Sequence, residues 1–305
     1  MMRKFLYTIV ALSIIIQGAY GQILYKISGH ELTSASYIVG TLHLANESFV
    51  DSIPGIYQAI DNCQQVYGEV IVNDMLNPDS IAVIQQNMML PNDITIDKIL
   101  SPDELNRLNA LLEKLLGMDL NNPDLFQQLG RLVPNALSSQ LTVLSFMKKT
   151  GNFVIENAMD NYFQKQARDQ GKEVGGLETV SFQMDVFFNR MPIERQKEQL
   201  MCLVDYSDMI GEMTNELVKA YYSQDINEIK KMMDIKLNNR CDSTLQEDDM
   251  LLYSRNASWV KKMPTLMAYK PTLFVVGAGH LPGEKGLLNL LRQAGFEVEG
   301  VWSNN

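Results

Sequence analysis

Two stretches, Tyr37-Ile38-Val39-Gly40-Thr41-Leu42-His43-Leu44 and Phe274-Val275-Val276-Gly277-Ala278-Gly279-His280-Leu281, decide how this chain is read. Each passes through an apolar run to a glycine, then two residues, a histidine and a leucine. A short apolar, β-branched run closed by glycine reads as a buried strand. Glycine lets the backbone turn at the sheet edge, so the histidine falls in the loop beyond the strand's carboxyl end, where α/β sheets bind ligands. The sequence holds only three histidines. One Gly-x-x-His segment reads as an ordinary polar loop. A matched pair reads as two neighbouring strands, from two related halves, that aim their imidazoles at one crevice.

Working outward, Ile23–Ser28 and Ser36–Val39 read as a hairpin joined through Gly29-His30-Glu31. Gln65–Val72 reads as a strand that carries Glu69, Lys172–Leu177 as a short strand leading to Glu178, and Phe296–Trp302 as a final strand. Helical spacing covers Ile53–Cys63, Pro123–Leu129, Ala136–Lys149, Ile155–Gln170, most of the chain from Val180 to about Asp234, Leu245–Met263 and Glu284–Ala294. Ser101-Pro102-Asp103-Glu104 is a capping box with proline at the first helical position, followed by Leu105, Leu108, Leu111, Leu112 and Leu115 on one face. The strands gather at the two ends of the sequence. The expected architecture is α/β: a mixed central sheet built from N- and C-terminal strands, with a large, mainly helical insertion at about 76–264.

The 305-residue chain begins Met1-Met2-Arg3-Lys4, continues in an almost wholly apolar run from Phe5 to Ile16, and reaches Ala19-Tyr20-Gly21. Basic start, short apolar run and small-residue exit predict a signal peptide over 1–21, with 22–305 as the mature domain and export to the periplasm or the cell exterior. The run is too short to span a bilayer comfortably, and no stable membrane span is expected after cleavage. Loss of Arg3 and Lys4 shifts the formal net charge from −10 to −12. Such a surface repels nucleic acid at long range and favours neutral or basic molecules, peptides and cations as partners. Export permits disulfides; Cys202–Cys241 is one possible pair, and the odd count of Cys63, Cys202 and Cys241 leaves at least one thiol free. All three read as structural.

Neutral imidazoles serve both as transition-metal ligands and as general bases near neutral pH. Glu69 lies in the apolar stretch Val66-Tyr67-Gly68-Glu69-Val70-Ile71-Val72. Its burial is costly unless the carboxylate is paired or metal-bound; the other reading is a solvent-facing residue on an edge strand. Two histidines and a carboxylate leave open positions for water and substrate, as hydrolytic metal sites require. Arg255, amid the apolar Leu251-Leu252-Tyr253, can steady a developing oxyanion or form an ordinary salt bridge. Glu178 can point into the crevice or interact locally with Thr179 or Gln183. No His-Glu-x-x-His, nucleotide-binding Gly-Lys-Ser/Thr or Gly-x-Ser-x-Gly elbow occurs.

The ordered set Gly40-Thr41-Leu42-His43, Glu69, Gly176-Leu177-Glu178-Thr179 with Gln183, Arg255-Asn256 with Trp259, and Val276-Gly277-Ala278-Gly279-His280-Leu281-Pro282-Gly283 resembles the TraB/PrgY/GumN family from about Ile23 to Trp302. The resemblance implies a metal-dependent hydrolase. Animal Tiki proteins, which are similar, are described as metalloproteases acting on secreted signalling peptides. Carried onto this chain, the family pattern matches His43, Glu69, His280 and Arg255 as functional positions and Gly40 and Gly277 as turns; the implied divalent metal (Mn²⁺, Co²⁺ or Zn²⁺) would be bound by His43 and His280, with Glu69 as third ligand or as general base and Arg255 steadying the oxyanion. A peptide or small molecule is the implied substrate, and hydrolysis of a peptide amide bond the implied reaction. The alternative is non-catalytic binding or sequestration of an exported peptide or small ligand.

Overall fold

The computed structural model describes residues 22–150 and 159–302. The expected leader lies outside the described residues, as do the first residues of the expected Ile155–Gln170 helix. Six strands form one sheet: β1 (Leu24–Ser28), β2 (Ser36–Thr41), β3 (Gln65–Gly68), β4 (Glu173–Gly176), β5 (Thr272–Gly277) and β6 (Glu297–Gly300), in the order β4-β3-β5-β2-β1-β6. Strands β4, β3, β5 and β2 run parallel to their neighbours, while β1 pairs antiparallel with both β2 and β6. The sheet is therefore mixed and draws on both ends of the chain, as the sequence predicts. The inner strand β5 is uniformly apolar from Leu273 to Val276 and buried along that length, the signature of a parallel strand covered on both faces.

Helices connect these strands. They are α1 (Ile56–Asn62), α2 (Pro78–Met88), α3 (Ile96–Ile99), α4 (Pro102–Leu116), α5 (Pro123–Leu129), α6 (Pro134–Thr150), α7 (Met159–Asp169), α8 (Val180–Phe188), α9 (Ile193–Asp205), α10 (Ser207–Tyr222), α11 (Ile226–Met233), α12 (Leu245–Asp248), α13 (Ser254–Tyr269) and α14 (Leu287–Gln293). The start of α4 is the expected capping box: the Glu104 N–H donates to Ser101 Oγ at 3.3 Å and the Ser101 N–H to Glu104 Oε2 at 2.7 Å, worth about 1 kcal/mol. Leu108, Leu111 and Leu112 then face inward.

Among the described residues two large apolar cores result, beside a small cluster at Phe146 and Val218. One lies along the sheet and takes in Phe274, Trp259 and Tyr221. The other lies within the insertion, built from residues of α4, α6, α8 and α9 and joined by Val70. The insertion is not all helix, because β4 rises from it to occupy the sheet edge beside β3. The expected β2–β5 adjacency is present, with Gly40 opposite Val276 and Thr41 opposite Gly277. A Cβ on Gly40 would come within 2.8 Å of Leu281 Cδ1 and 2.9 Å of the Ala278 Cα, so only glycine permits this approach.

One boundary differs in a way that matters. The Gln65–Val72 strand of the sequence reading stops at Gly68, and Val72–Leu76 is a 3-10 turn. The buried Gln164 of α7 causes the break. Its Nε2 donates to the Val70 carbonyl at 2.8 Å and its Oε1 accepts the Val72 N–H at 3.0 Å. Those are the groups a continued ladder would use, so Glu69 leaves the pleat and turns inward.

Candidate active site

Because β4, β3, β5 and β2 are parallel, their carboxyl ends share one edge of the sheet. That edge carries, in spatial order, Glu178 after β4, Glu69 after β3, His280 after β5 and His43 after β2. The crevice beyond parallel strand ends is where such sheets bind ligands. All four polar groups reach it because each strand closes with a short turn.

The centre of the cluster is Arg255, 3% exposed. Its Nε donates to Glu178 Oε2 at 3.1 Å, and its Nη2 donates to Glu178 Oε1 and Glu69 Oε2, each at 2.7 Å. Its Nη1 donates to the Leu251 carbonyl at 2.9 Å and to His280 Nε2 at 3.2 Å. A guanidinium has five N–H groups, and all five are engaged. The ordinary ion-pair reading of Arg255 therefore describes this arrangement, and steadying an oxyanion would require one of these bonds to be given up. Trp259 and Phe187 lie under the cation at 4.8 and 5.4 Å. The local backbone assists: Asp249–Tyr253 forms a π turn between α12 and α13, and a widened turn frees a carbonyl for a side-chain donor.

Glu69 is held from several sides. Its Oε1 accepts the Gly277 N–H at 2.8 Å, and its Oε2 accepts Gln183 Nε2 at 3.0 Å besides Arg255. Burial alone would push its carboxyl up; His280, Arg255, His43 and the Gly277 amide reverse that and hold it below the usual carboxylate range. The buried reading of Glu69 thus describes its place. Glu178 also accepts Trp259 Nε1 at 3.1 Å and Gln183 Nε2 at 3.1 Å. It points into the cluster, while the helix cap is made by Thr179, whose Oγ1 accepts the Phe182 N–H at 3.2 Å.

His280 is 5% exposed. Its Nδ1 lies 2.6 Å from Asn256 Oδ1. The Asn256 amide is oriented by its Nδ2, which donates to the carbonyls of His280 at 3.2 Å and Lys285 at 2.9 Å. The proton therefore sits on Nδ1, and Nε2 presents its lone pair toward Arg255. Burial drives the imidazole pKa down to about 4, against the pull of Glu69 and with Arg255 and His43 adding to the shift, so the ring is neutral at pH 7. Trp259 packs against it with ring centroids 4.5 Å apart.

His43 is exposed at the mouth of the crevice. It lines the same cavity of about 370 Å³ as Glu69, Arg255, Gly277 and His280. A second cavity of about 310 Å³ adjoins the first, since His43, Glu69 and Phe187 line both. A larger surface hollow of about 1010 Å³ lies elsewhere, between α2 and α9, and its lining holds Arg131 but no acid or imidazole. The remaining histidine, His30, is also remote from the crevice, on the β1–β2 turn against Phe296.

Two imidazoles and a carboxylate are donors that Mn²⁺, Co²⁺ and Zn²⁺ all accept. His280 shows the matching outer shell, with its other ring N–H given to an amide oxygen. Among the described residues no three His, Cys, Asp or Glu side chains stand close enough together to enclose an ion. His280 Nε2 lies 3.8 Å from Glu69 Oε1. The donor chemistry fits a divalent ion, and the Arg255 hydrogen bond to Nε2 is what such an ion would have to replace.

Three residues of the cluster carry roles that spacing alone does not reveal. Gln183 bridges the two carboxylates, Asn256 sets the His280 tautomer, and Gln164 ends β3. The one signal available for Gln164 was a glutamine next to Phe163 on the face of α7 that also carries Met159 and Ala167, all four of them buried.

The sequence profile of the TraB/PrgY/gumN family matches residues 23–300. Among curated proteins, the chain is 24% identical over 310 residues to the zebrafish protein named metalloprotease TIKI1, an alignment covering 87% of this chain and 60% of that protein. It is 26% identical over 308 residues to human metalloprotease TIKI1, covering 87% and 59%, and 24% identical over 306 residues to metalloprotease TIKI2 of Xenopus tropicalis, covering 87% and 57%. The chain thus spans about 60% of the length of these relatives. No solved structure matches it at a significant level.

Proposed function

We propose, from the premise that this chain belongs to the TraB/PrgY/gumN family, that it hydrolyses peptide amide bonds in the crevice at the strand ends, with a divalent metal held by His43 and His280 and with Glu69 as its third ligand or as the general base. The observation that carries this reading is the convergence of a neutral, tautomer-fixed imidazole and an ionised, buried carboxylate beside a cavity. Relatives named metalloproteases support the reaction class. When bound, the metal supplies a water of lowered pKa and a Lewis acid for the amide carbonyl. The protein supplies the rest. As general base, the ionised Glu69 would accept a proton from the attacking water; in either role its carboxylate is aimed by the Gly277 N–H and Gln183. Asn256 keeps the His280 Nε2 lone pair pointed into the site. Arg255 positions both carboxylates and offsets part of their charge.

The same reading places the protein outside the cytoplasm after loss of residues 1–21. The disulfide between Cys202 and Cys241 supports this, because such bonds persist in oxidising compartments. Cys63 is a free, buried thiol. Among the described residues no helix is long and apolar enough to cross a membrane.

The test is a peptide-library digest by the mature protein, with and without chelator, followed by addition of Mn²⁺, Co²⁺ or Zn²⁺. Cleavage should stop with chelator, return with metal, and vanish in His43→Ala and His280→Ala while circular dichroism stays unchanged. Parental cleavage by both variants would overturn the mechanism. Protection of a peptide without turnover would favour sequestration.

A further inference from the structure

The two cavities that meet at the candidate site differ from it in character. The first, about 310 Å³, extends from His43, Glu69 and Phe187 to Val72, Met75 and Val143. The second, about 370 Å³, extends from the same residues toward Leu217, Ile229, Met233 and Leu252. Each holds on the order of ten waters at about 30 Å³ apiece, room for one large side chain. Apart from His43 and Glu69, the lining of the first contains no charged or titratable side chain. The second adds only Arg255 and His280 of the central cluster and the hydroxyls of Thr41 and Tyr221, which donate to the Val276 carbonyl at 3.3 Å and to the Gly40 carbonyl at 2.9 Å. The charged groups thus lie at the seam between two largely apolar lobes, the first of which also carries the uncharged amides of Asn161, Gln164 and Gln183.

We infer that the substrate is a peptide with a large apolar side chain on each side of the cleaved amide bond, one seated in the lobe at Val143 and the other in the lobe at Leu217. This deepens the hydrolase reading and rests on it. The seam carries the groups that act on an amide, so the bond to be cut lies there and its flanking residues reach opposite lobes. Water adds across the carbon–nitrogen bond, its hydroxyl to the carbonyl carbon and its proton to the leaving nitrogen. Charged flanking side chains are disfavoured because either lobe would desolvate them, and the charged groups that line the lobes, Glu69 and Arg255, already pair with each other. Apolar ones gain from leaving water.

The experiment is a position-resolved digest of a peptide library by the metal-loaded parent, Val143→Phe and Leu217→Phe, the two substitutions falling at apolar lining positions outside the central cluster. The parent should favour Leu, Met or Phe over Lys or Glu on both sides of the cut by at least about tenfold in kcat/KM. Val143→Phe should shift the preference to Gly or Ala on one side alone, and Leu217→Phe on the other side alone. Equal cleavage beside Lys and Leu, or both variants shifting the same side, overturns the inference. If the parent cleaves nothing, the hydrolase reading fails separately. The lobes are then tested by methyl NMR with acetyl-Leu-Leu-amide and acetyl-Lys-Lys-amide. Perturbation of methyls in both lobes by the first probe alone upholds them as paired apolar subsites; no difference between the probes overturns them.

Discussion

Replacing Arg255 by methionine tests the electrostatic design of the crevice. Methionine fills much of the same space but removes five donors at once. Glu69 and Glu178, with side chains 14% and 4% exposed, are then left facing each other with Gln183 as their shared donor. The Leu251 carbonyl and His280 Nε2 also lose a partner. Breaking a buried pair by removing one member costs about 3–5 kcal/mol, a large part of the roughly 5–15 kcal/mol that keeps a domain folded. The cost should depend on pH with a definite sign. Without the guanidinium, one carboxylate has a folded pKa raised above its unfolded value. The protonated form then favours the fold, and that contribution is present below the unfolded pKa and lost as pH rises through the folded one. The deficit of Arg255→Met relative to the parent should therefore be largest at pH 7 and shrink toward pH 5. Adding Glu178→Gln restores the cluster's charge and should recover about 1–3 kcal/mol as a coupling term. Urea denaturation of the parent, both single variants and the double variant at pH 7 and pH 5 measures all of this. A loss below about 1 kcal/mol at pH 7, or a deficit that grows on acidification, would refute the reasoning.

Asn256→Ala should release the His280 tautomer: nitrogen-15 NMR should show the ring proton on Nδ1 in the parent and shared between both nitrogens in the variant, with metal affinity down about 10–100-fold. Gly40→Ala drives a Cβ into Leu281 Cδ1 and the Ala278 Cα in the turn after β5, and a thermal melt should register about 1–3 kcal/mol of lost stability. Burial pushes the Cys63 thiol up to about 12, so Ellman's reagent at pH 8 should find no reactive thiol in the native protein, one after denaturation and three after reduction as well. A reactive native thiol would contradict the packing of Cys63.

The paired imidazoles were legible because each rests on a local pattern: an apolar run that makes a strand, a glycine that ends it, and a histidine at fixed distance. The sheet followed from where the apolar runs cluster. What local pattern could not supply was the partner of each buried charge. Glu178 reads as a residue beside a helix start, and its partners Arg255 and Trp259 are more than seventy residues away. The Gln65–Val72 run reads as continuous strand because its β propensity is unbroken, while Gln164, about a hundred positions later, withdraws the hydrogen bonds that would extend it. The tautomer of His280 depends on an amide oriented by two backbone carbonyls, and neither spacing nor composition encodes that orientation.

The four strand ends that make the crevice come from positions near 41, 68, 176 and 277. The last of these follows the other three in the chain by about a hundred residues or more, and β5, which carries it, must seat between β3 and β2 before the crevice is complete. A species in which β5 and the turn after it are missing or unplaced lacks His280 at the strand ends and cannot assemble the constellation. Whatever chemistry the crevice performs therefore waits on topology: it cannot begin until β5, the fifth of the six strands, has inserted between β3 and β2.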